Sequence, residues 1–231
     1  MWRKEVMSKT TKILTWIAAL ITLVAALLTV GSLFMAPTRG EKIPDYANPQ
    51  KALLVIDVQE DYTGTTAQTP FPYKNAARAI ATINQVIEKA HKNKMPVIYV
   101  KQEFDGLGGK ILSKLLLGGT VIKGTPGAAI DKRVSLVTDF IFPKMRPDAF
   151  SNSDLHDFLN SHQVNELYLV GLDAEFCVYL TGKGAINRGY KVNIITDSVL
   201  LLAEDKWNDL LNKYRKVGIN LKTSQDILAG A

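Results

Sequence analysis

The sequence predicts a three-layer α/β/α domain built on a parallel sheet and preceded by one transmembrane helix. From residue 51 onward, short apolar runs alternate with segments whose apolar residues follow a helical period. The apolar runs show little alternation of polar and apolar residues, which is typical of parallel strands covered on both faces. Residues 13–36 form a separate stretch without any charged residue.

The uncharged stretch is long enough to cross a membrane as a helix. Twenty-four residues in a helix extend about 36 Å, and the hydrocarbon core of a bilayer is about 30 Å thick. Trp16 near one end suits the membrane interface. A cleaved signal peptide would have a shorter apolar core, and Val30 and Ser32 leave that alternative open. We favour an uncleaved anchor.

The flanks of this helix predict its orientation. Residues 1–12 form a basic flank with four basic residues, whereas two follow the helix within the first several positions. The positive-inside rule then places the N-terminus in the cytoplasm and the domain outside it, on a single-pass membrane protein. Residues 37–50 are polar, contain three prolines and are predicted to be a linker to the domain at 51–231.

The elements of the domain follow in order along the chain. The segment 75–93 places Ala76, Ile80, Ile83 and Ile87 on one helical face, and the glycine-rich segment 106–120 is predicted to be a flexible loop. Strands are predicted at 51–58, 96–104, 137–144, 166–172, 191–199 and 219–228, and further helices at 151–162, from Cys177 to Gly189, and at 204–218.

Charge and cysteine content bear on two properties, the binding partner and the presence of disulfides. The net charge is +6, of which +4 lies in residues 1–42, so the basic balance does not indicate a nucleic-acid partner. Cys177 is the only cysteine, which excludes an intrachain disulfide.

Three reactive residues lie where ligands bind in a parallel sheet, beyond the carboxyl ends of strands. Asp57 ends the first strand, Lys144 ends a middle strand, and Cys177 follows the strand 166–172. A helix N-terminus and a nearby lysine would lower the pKa of a thiol, and a carboxylate can accept its proton. Each residue also has a structural interpretation. Cys177 would be a small buried side chain, Asp57 a turn residue and Lys144 a surface charge.

The motifs around these residues resemble the isochorismatase-like cysteine hydrolase family, in the nicotinamidase/isochorismatase superfamily. The resemblance rests on ALLVIDVQEDY (52–62), KGTPGAAID (123–131), FPKMRPDAFSNSDLHDFL (142–159) and LVGLDAEFCVYLTGKGAINRGYKVNIITDS (169–198). It implies a six-stranded parallel sheet and a catalytic triad of Asp57, Lys144 and Cys177. It also implies a cis peptide at Leu172–Asp173 and an oxyanion hole formed by the backbone amides of Asp173 and Cys177.

The function implied is hydrolysis of a C–N bond, other than a peptide bond, in a small-molecule amide through a Cys177 thioester. A non-catalytic binding or scaffold member of the same fold is the alternative. Nicotinamidases of this family carry a metal site with an Asp-x-His pair, but His91 is the only histidine between residues 57 and 101. His156 and His162 lie on another predicted helix. We therefore expect no metal and no cofactor.

Aromatic residues near the triad motifs are candidates for the substrate pocket. Phe150 follows Lys144 closely, and Tyr62 and Phe104 follow the first two strands. Aromatic side chains more often serve the core, so this assignment depends on where the fold places them. The resemblance also implies a homo-oligomer.

Overall fold

The computed structural model describes residues 2–64 and 73–229, which form two compact units divided after Ala36. The first unit contains one helix, α1 (Trp2–Phe34). Its segment Leu14–Phe34 has the length and apolar composition of a membrane-spanning helix, which signal sequences share. The described side chains of this segment are almost all exposed, so no protein core explains its apolar character.

The second unit, residues 37–231, holds one sheet and the helices around it. The strands are β1 (Gln50–Ile56), β2 (Val97–Gln102), β3 (Ile141–Lys144), β4 (Val164–Gly171), β5 (Lys191–Val199) and β6 (Asn220–Lys222). The helices are α2 (Glu60–Thr63), α3 (Ala76–Lys92), α4 (Gly106–Leu117), α5 (Ser153–Ser161), α6 (Cys177–Asn187), α7 (Trp207–Lys216) and α8 (Ser224–Leu228). Three short 3₁₀ turns lie at Pro126–Ala128, Ala149–Ser151 and Glu204–Lys206.

The six strands pair in the order β3-β2-β1-β4-β5-β6, and every pair is parallel. Leu54 in the central strand β1 lies between Ile98 of β2 and Leu169 of β4. All strands therefore end at the same edge of the sheet, and Asp57 follows β1 at that edge. The predicted three-layer fold with a six-stranded parallel sheet is confirmed.

Side chains of β1 alternate between two apolar layers. Leu54 and Ile56 belong to the core shared with α5, α6 and α7. Leu53 and Val55 point to the opposite face, where α3 packs. Each of these side chains is almost completely buried, which stabilises the fold by about 1.5–3 kcal/mol per large side chain.

Two predicted elements differ from the structure. The segment 106–120, predicted to be a flexible loop, forms the helix α4. The Asp105 carboxylate caps it by accepting the Gly106 N–H at 2.7 Å, and Gly118 ends it at φ +66°. The predicted strand 219–228 ends after Lys222, because Thr223 and Asp226 form a capping box that begins α8.

The segment after α1, predicted to be a linker, makes specific contacts with the domain. Thr38 donates its N–H and its hydroxyl to Oδ2 of Asp148, at 2.6 and 2.7 Å. Arg188 donates to the Thr38 hydroxyl oxygen at 2.9 Å, and Asn187 donates to the Thr38 carbonyl at 2.8 Å. Asp148 and Arg188 are both buried, so Thr38 supplies hydrogen-bond partners to two charged groups that are largely shielded from solvent.

Candidate active site

Asp57 occupies a special backbone position directly after β1. Its φ is +55°, in the left-handed region that few residues other than glycine adopt, although aspartate tolerates it. Its N–H still donates to the Val100 carbonyl of β2 at 2.8 Å. The chain therefore turns at Asp57 while the residue stays held to the sheet, and its carboxylate is buried.

Lys144 ends β3 and brings its ammonium group to the same point. Nζ donates to Oδ2 of Asp57 at 2.8 Å and to Oε1 of Gln102 at 2.7 Å. Nζ also lies 3.5 Å from Sγ of Cys177. An ammonium group has three N–H bonds, and three acceptors surround it here. The three residues that sequence analysis selected lie together, 87 and 33 positions apart along the chain.

Cys177 is the first residue of α6, immediately after a tight turn. The peptide bond Leu172–Asp173 in that turn is cis, which confirms the expectation from the resemblance. The Asp173 carbonyl accepts the N–H groups of Phe176 and Val178. Within the described ranges, the N–H groups of Asp173 and Cys177 have no acceptor. Two backbone donors therefore remain available beside the thiol.

Burial raises the pKa of the Cys177 thiol. The Lys144 ammonium opposes that rise, but the Asp57 carboxylate adds to it. The net effect is a raised thiol pKa, which favours the thiol over the thiolate before a ligand binds. The expectation of a lowered thiol pKa was wrong, because the sequence does not reveal how strongly the surrounding protein desolvates the sulfur of this half-buried residue, nor that an anion lies beside it.

The ion pair beside the thiol is fully enclosed. Burial raises the pKa of Asp57, and the charge of Lys144 opposes that rise. Burial alone would lower the pKa of Lys144, but attraction to Asp57 and Cys177 outweighs it and the pKa is raised. Oδ1 of Asp57 is buried and has no hydrogen-bond partner among the described residues. This oxygen therefore remains free to accept a proton.

Gln102 is a site residue that the sequence analysis missed. It ends β2 opposite Lys144 in the sheet register. Gln59 fixes it from both sides, by accepting the Gln102 N–H at 2.7 Å and donating to the Gln102 carbonyl at 2.9 Å. The Gln102 side-chain amide donates to the Met145 carbonyl at 2.6 Å, which leaves Oε1 facing Lys144. Its place at the end of a strand is the same signal that selected Asp57 and Lys144.

The candidate pocket aromatics lie in different surroundings. Tyr62 is buried, and its pKa is raised by that burial and then by the nearby charges of Asp57 and Cys177. Phe104 is buried and pairs through its backbone with the segment 121–123. Phe150 packs in the core, with its ring 5.5 Å from that of Tyr190. Of the three, the electrostatic contacts place Tyr62 beside the triad.

Tyr73 is a second residue that the sequence analysis missed. Its hydroxyl hydrogen-bonds the Asp173 carboxylate. That carboxylate also accepts the N–H groups of Glu175 and Leu202, at 2.7 and 3.0 Å. The side chain of Asp173 is thus engaged from three directions, while its own N–H stays available.

The three histidines occupy surface or packing positions. His91 is exposed on α3. His156 lies 3.1 Å from the Tyr190 hydroxyl, and His162 stacks on Phe158 with ring centroids 4.1 Å apart. Among the residues that the structure describes, no three His, Cys, Asp or Glu side chains form a group suited to a metal ion. The absence of a metal stays a prediction.

The fold and the comparisons together define the class of protein. The chain is an isochorismatase-like amidohydrolase, a class that acts on C–N bonds other than peptide bonds. Residues 51–226 match the family model described as the isochorismatase domain. The chain therefore belongs to the isochorismatase-like hydrolase family, as the motifs predicted.

Three proteins illustrate the likeness. A probable inactive nicotinamidase of Arabidopsis thaliana is 28% identical over 183 residues, which cover 74% of this chain and 91% of that protein. The structure of N-carbamoylsarcosine amidase from Thermoplasma acidophilum is 25% identical with a TM-score of 0.64, covering 76% of this chain and 96% of that one. The pyrazinamidase/nicotinamidase of Streptococcus mutans is 26% identical with a TM-score of 0.65, covering 75% and 100%.

Proposed function

We propose that the protein is a cysteine amidohydrolase that cleaves the C–N bond of a small amide through a Cys177 thioester. The observation that carries the proposal is the buried Lys144 ammonium, which contacts both the Asp57 carboxylate and the Cys177 sulfur. A nucleophile, a proton acceptor and a cation between them are the three groups that amide hydrolysis by a thiol requires.

Acylation begins with transfer of the thiol proton to Oδ1 of Asp57. The sulfur then attacks the amide carbonyl carbon, and the N–H groups of Asp173 and Cys177 bind the resulting oxyanion. Asp57 returns the proton to the leaving nitrogen as the C–N bond breaks. Ammonia or an amine departs, and the acyl group stays on sulfur as a thioester.

Deacylation reverses the proton transfers with water as the nucleophile. Asp57 takes a proton from water, and the oxygen attacks the thioester carbon. The C–S bond breaks, the carboxylic acid leaves, and the thiol regains its proton from Asp57. Lys144 keeps its proton throughout, because its N–H bonds stabilise the thiolate and hold Asp57 in the ionised form. No cofactor enters either half of this cycle.

The substrate class follows from the relatives and the enclosed site. Two related structures are named as an N-carbamoylsarcosine amidase and a pyrazinamidase/nicotinamidase. Both names denote enzymes that act on small amides. A buried ion pair beside the thiol favours a compact substrate that excludes water from it. Tyr62 is our candidate for the wall that contacts this substrate, with Phe104 and Phe150 more remote candidates.

We further propose that α1 anchors the enzyme in a membrane as a single-pass helix, with the domain outside the cytoplasm. The length and apolar composition of Leu14–Phe34 support the anchor, and the basic residues before it support the orientation. Assembly as a homo-oligomer stays an expectation from the family resemblance.

Ammonia release by the full chain in detergent tests the activity. The panel contains nicotinamide, pyrazinamide, N-carbamoylsarcosine, a ureidoacrylate and simple acyl amides. Turnover that Cys177→Ala abolishes, while circular dichroism shows a folded variant, supports the proposal. Mass spectrometry of the acid-quenched enzyme should show an acyl adduct on Cys177. Turnover that survives Cys177→Ala would exclude the thioester route.

A binding protein of the same fold is the second candidate. Two observations favour it: the raised pKa of the resting thiol, and the name of the Arabidopsis relative, which describes a probably inactive protein. Calorimetry with the same panel distinguishes the two. Heat of binding without any ammonia, unchanged by Cys177→Ala, would favour the binding protein over the enzyme.

A further inference from the structure

The helix α4 packs on the domain through its small residues instead of its large ones. Gly109 and Ser113 are its buried residues. A Cβ at Gly109 would lie 3.0 Å from the carbonyl carbon of Phe104, so a larger side chain there would separate the helix from the domain. The Ser113 hydroxyl donates to the Thr120 carbonyl. The orientation of the helix is therefore fixed by close contacts on its small-residue side.

The opposite side of α4 carries large apolar residues that contact water. Leu107, Ile111 and Leu115 are exposed by 78%, 51% and 77%, and the neighbouring Leu116 by 54%. The first three are spaced by four residues and form one stripe along the helix. We call the side chains of Leu107, Ile111 and Leu115 the α4 apolar face. Contiguous exposed apolar residues of this kind mark an interaction surface.

The charges around this face select the partner. Lys110 and Lys114 are exposed on the same helix, which contains no acidic residue. Lys123 nearby is neutralised by Asp105, with Nζ and Oδ2 2.7 Å apart. A helix with leucines on one side and lysines beside them is typical of helices that lie in the interface of an anionic membrane.

A second copy of the chain fits this face less well. In a two-fold contact the same patch meets itself, so Lys110 and Lys114 of both copies would come together. The helix has no carboxylate to balance these charges. Anionic lipid headgroups supply the missing negative charge, and acyl chains accept the leucines.

We propose that the α4 apolar face inserts into the headgroup region of an anionic bilayer. The inference rests on the proposed membrane anchor, because α1 would keep the domain beside a bilayer. It does not rest on catalysis. It assigns α4 a function that explains why its leucines point away from the core.

Fluorescence of the full chain in vesicles tests this contact. Leu115→Cys is made in a Cys177→Ala background, so that a nitrobenzoxadiazole probe attaches at one position. Asn212→Cys on α7, also exposed, carries the probe in the control. Vesicles contain equal parts of phosphatidylcholine and phosphatidylglycerol, with or without lipids that carry a doxyl quencher near the headgroup.

We expect a blue shift of emission and its loss on adding doxyl lipid for the probe at 115, and neither for the probe at 212. A blue shift without quenching would mean contact with a second copy or another protein, and would overturn the proposal. Equal, unquenched emission at both positions would overturn it too. Leu107→Cys repeats the measurement at the other end of the stripe.

Charge neutralisation and flotation complete the test. Lys110→Gln combined with Lys114→Gln should reduce quenching at 115 to its value in pure phosphatidylcholine vesicles. Quenching that is unchanged when both lysine charges are removed would contradict the assignment of anionic lipid. Flotation of the labelled chain with the vesicles reports on α1 separately, so loss of the anchor and loss of the α4 contact are distinguishable.

Discussion

The ammonium of Lys144 and the carboxylate of Asp57 form a buried ion pair, with Nζ 2.8 Å from Oδ2, directly beside the thiol of Cys177. Two opposite charges act on the same sulfur. Burial and Asp57 favour the thiol, whereas Lys144 favours the thiolate, and the net shift raises the thiol pKa. The proposed enzyme therefore activates its nucleophile by proton transfer during the reaction and does not store a thiolate beforehand.

Asp57→Asn should abolish turnover and at the same time make Cys177 more reactive toward iodoacetamide at pH 7. The substitution removes the proton acceptor, but it also removes the negative charge that raises the thiol pKa. A fall of one pKa unit makes more thiolate and accelerates alkylation about tenfold. Mass spectrometry at timed intervals measures this rate alongside ammonia release.

Glu175→Gln is the matched control for this experiment. It removes the same charge two residues from Cys177, where Glu175 pairs with Lys213 at 3.1 Å on the surface. Alkylation and turnover should both stay at the wild-type level. If Asp57→Asn slows alkylation, Asp57 assists the thiol as a base even toward iodoacetamide, and the electrostatic account is wrong.

The pH dependence of kcat/KM should show an acid limb whose apparent pKa lies above the ordinary aspartate value of about 3.9. Catalysis needs the ionised carboxylate of Asp57, and burial raises the pKa of that group. Activity is therefore lost as the pH falls through the raised value. On the alkaline side the raised pKa of Lys144 preserves activity beyond the ordinary lysine range. An acid limb at or below the ordinary value would contradict this assignment of Asp57.

Gln102→Leu should lower kcat/KM about 10- to 100-fold, because a hydrogen bond to a charged group contributes about 1.5–3 kcal/mol. Loss of the Oε1 acceptor leaves one N–H of the Lys144 ammonium without a partner and lowers the Lys144 pKa. The alkaline limb of the pH profile should then move to lower pH. Gln102→Glu keeps an acceptor and adds a negative charge, so its limb should lie at or above the wild-type pH. An unmoved limb in Gln102→Leu would indicate a structural role only.

Thr38→Val should reduce the free energy of unfolding by about 1–3 kcal/mol. The hydroxyl that donates to buried Asp148 and accepts from buried Arg188 is lost, although the backbone N–H contact with Asp148 remains. Thermal unfolding followed by circular dichroism measures the change. Thr125→Val removes an exposed hydroxyl that bonds locally to the Ile122 carbonyl, and should leave stability within about 0.5 kcal/mol.

Gly184→Ala should also destabilise the contact between Thr38 and Asp148, because it displaces the Asp148 carboxylate. A Cβ at Gly184 would lie 2.2 Å from Oδ2 of Asp148, the oxygen that binds Thr38. The carboxylate would have to move away from Thr38, so the melting temperature should fall at least as far as in Thr38→Val. The double variant should be less destabilised than the sum of the two, because both changes disrupt one contact.

Much of the fold was predictable because apolar runs of strand length alternate with helical periods. The helix α4 was not, since Gly106, Gly108 and Gly109 lower helix propensity and its large residues do not face the core. Its formation depends on the Asp105 cap and on close packing over Gly109, which are tertiary facts. The capping box of Thr223 and Asp226 is visible in the sequence, but it lies inside the segment 219–228, whose alternating Ile219 and Leu221 favour a strand.

The candidate site was partly predictable for a topological reason. Parallel strands end at one edge of a sheet, which brought Asp57 and Lys144 together without any knowledge of distance. The same rule would have selected Gln102. The thiol pKa was not predictable, because it depends on desolvation of the sulfur by the folded chain, an effect that outweighs the opposing charge of Lys144.

The contacts of Thr38 also limit how the domain could be separated from the proposed membrane anchor. A protease that separated it from α1 by cutting before Pro37 would leave Thr38 in place against Asp148 and Arg188. A cut only a few residues later would remove Thr38 and expose two buried charges. A secreted form that remains stable must therefore begin no later than Thr38, within four residues of the last residue of the helix.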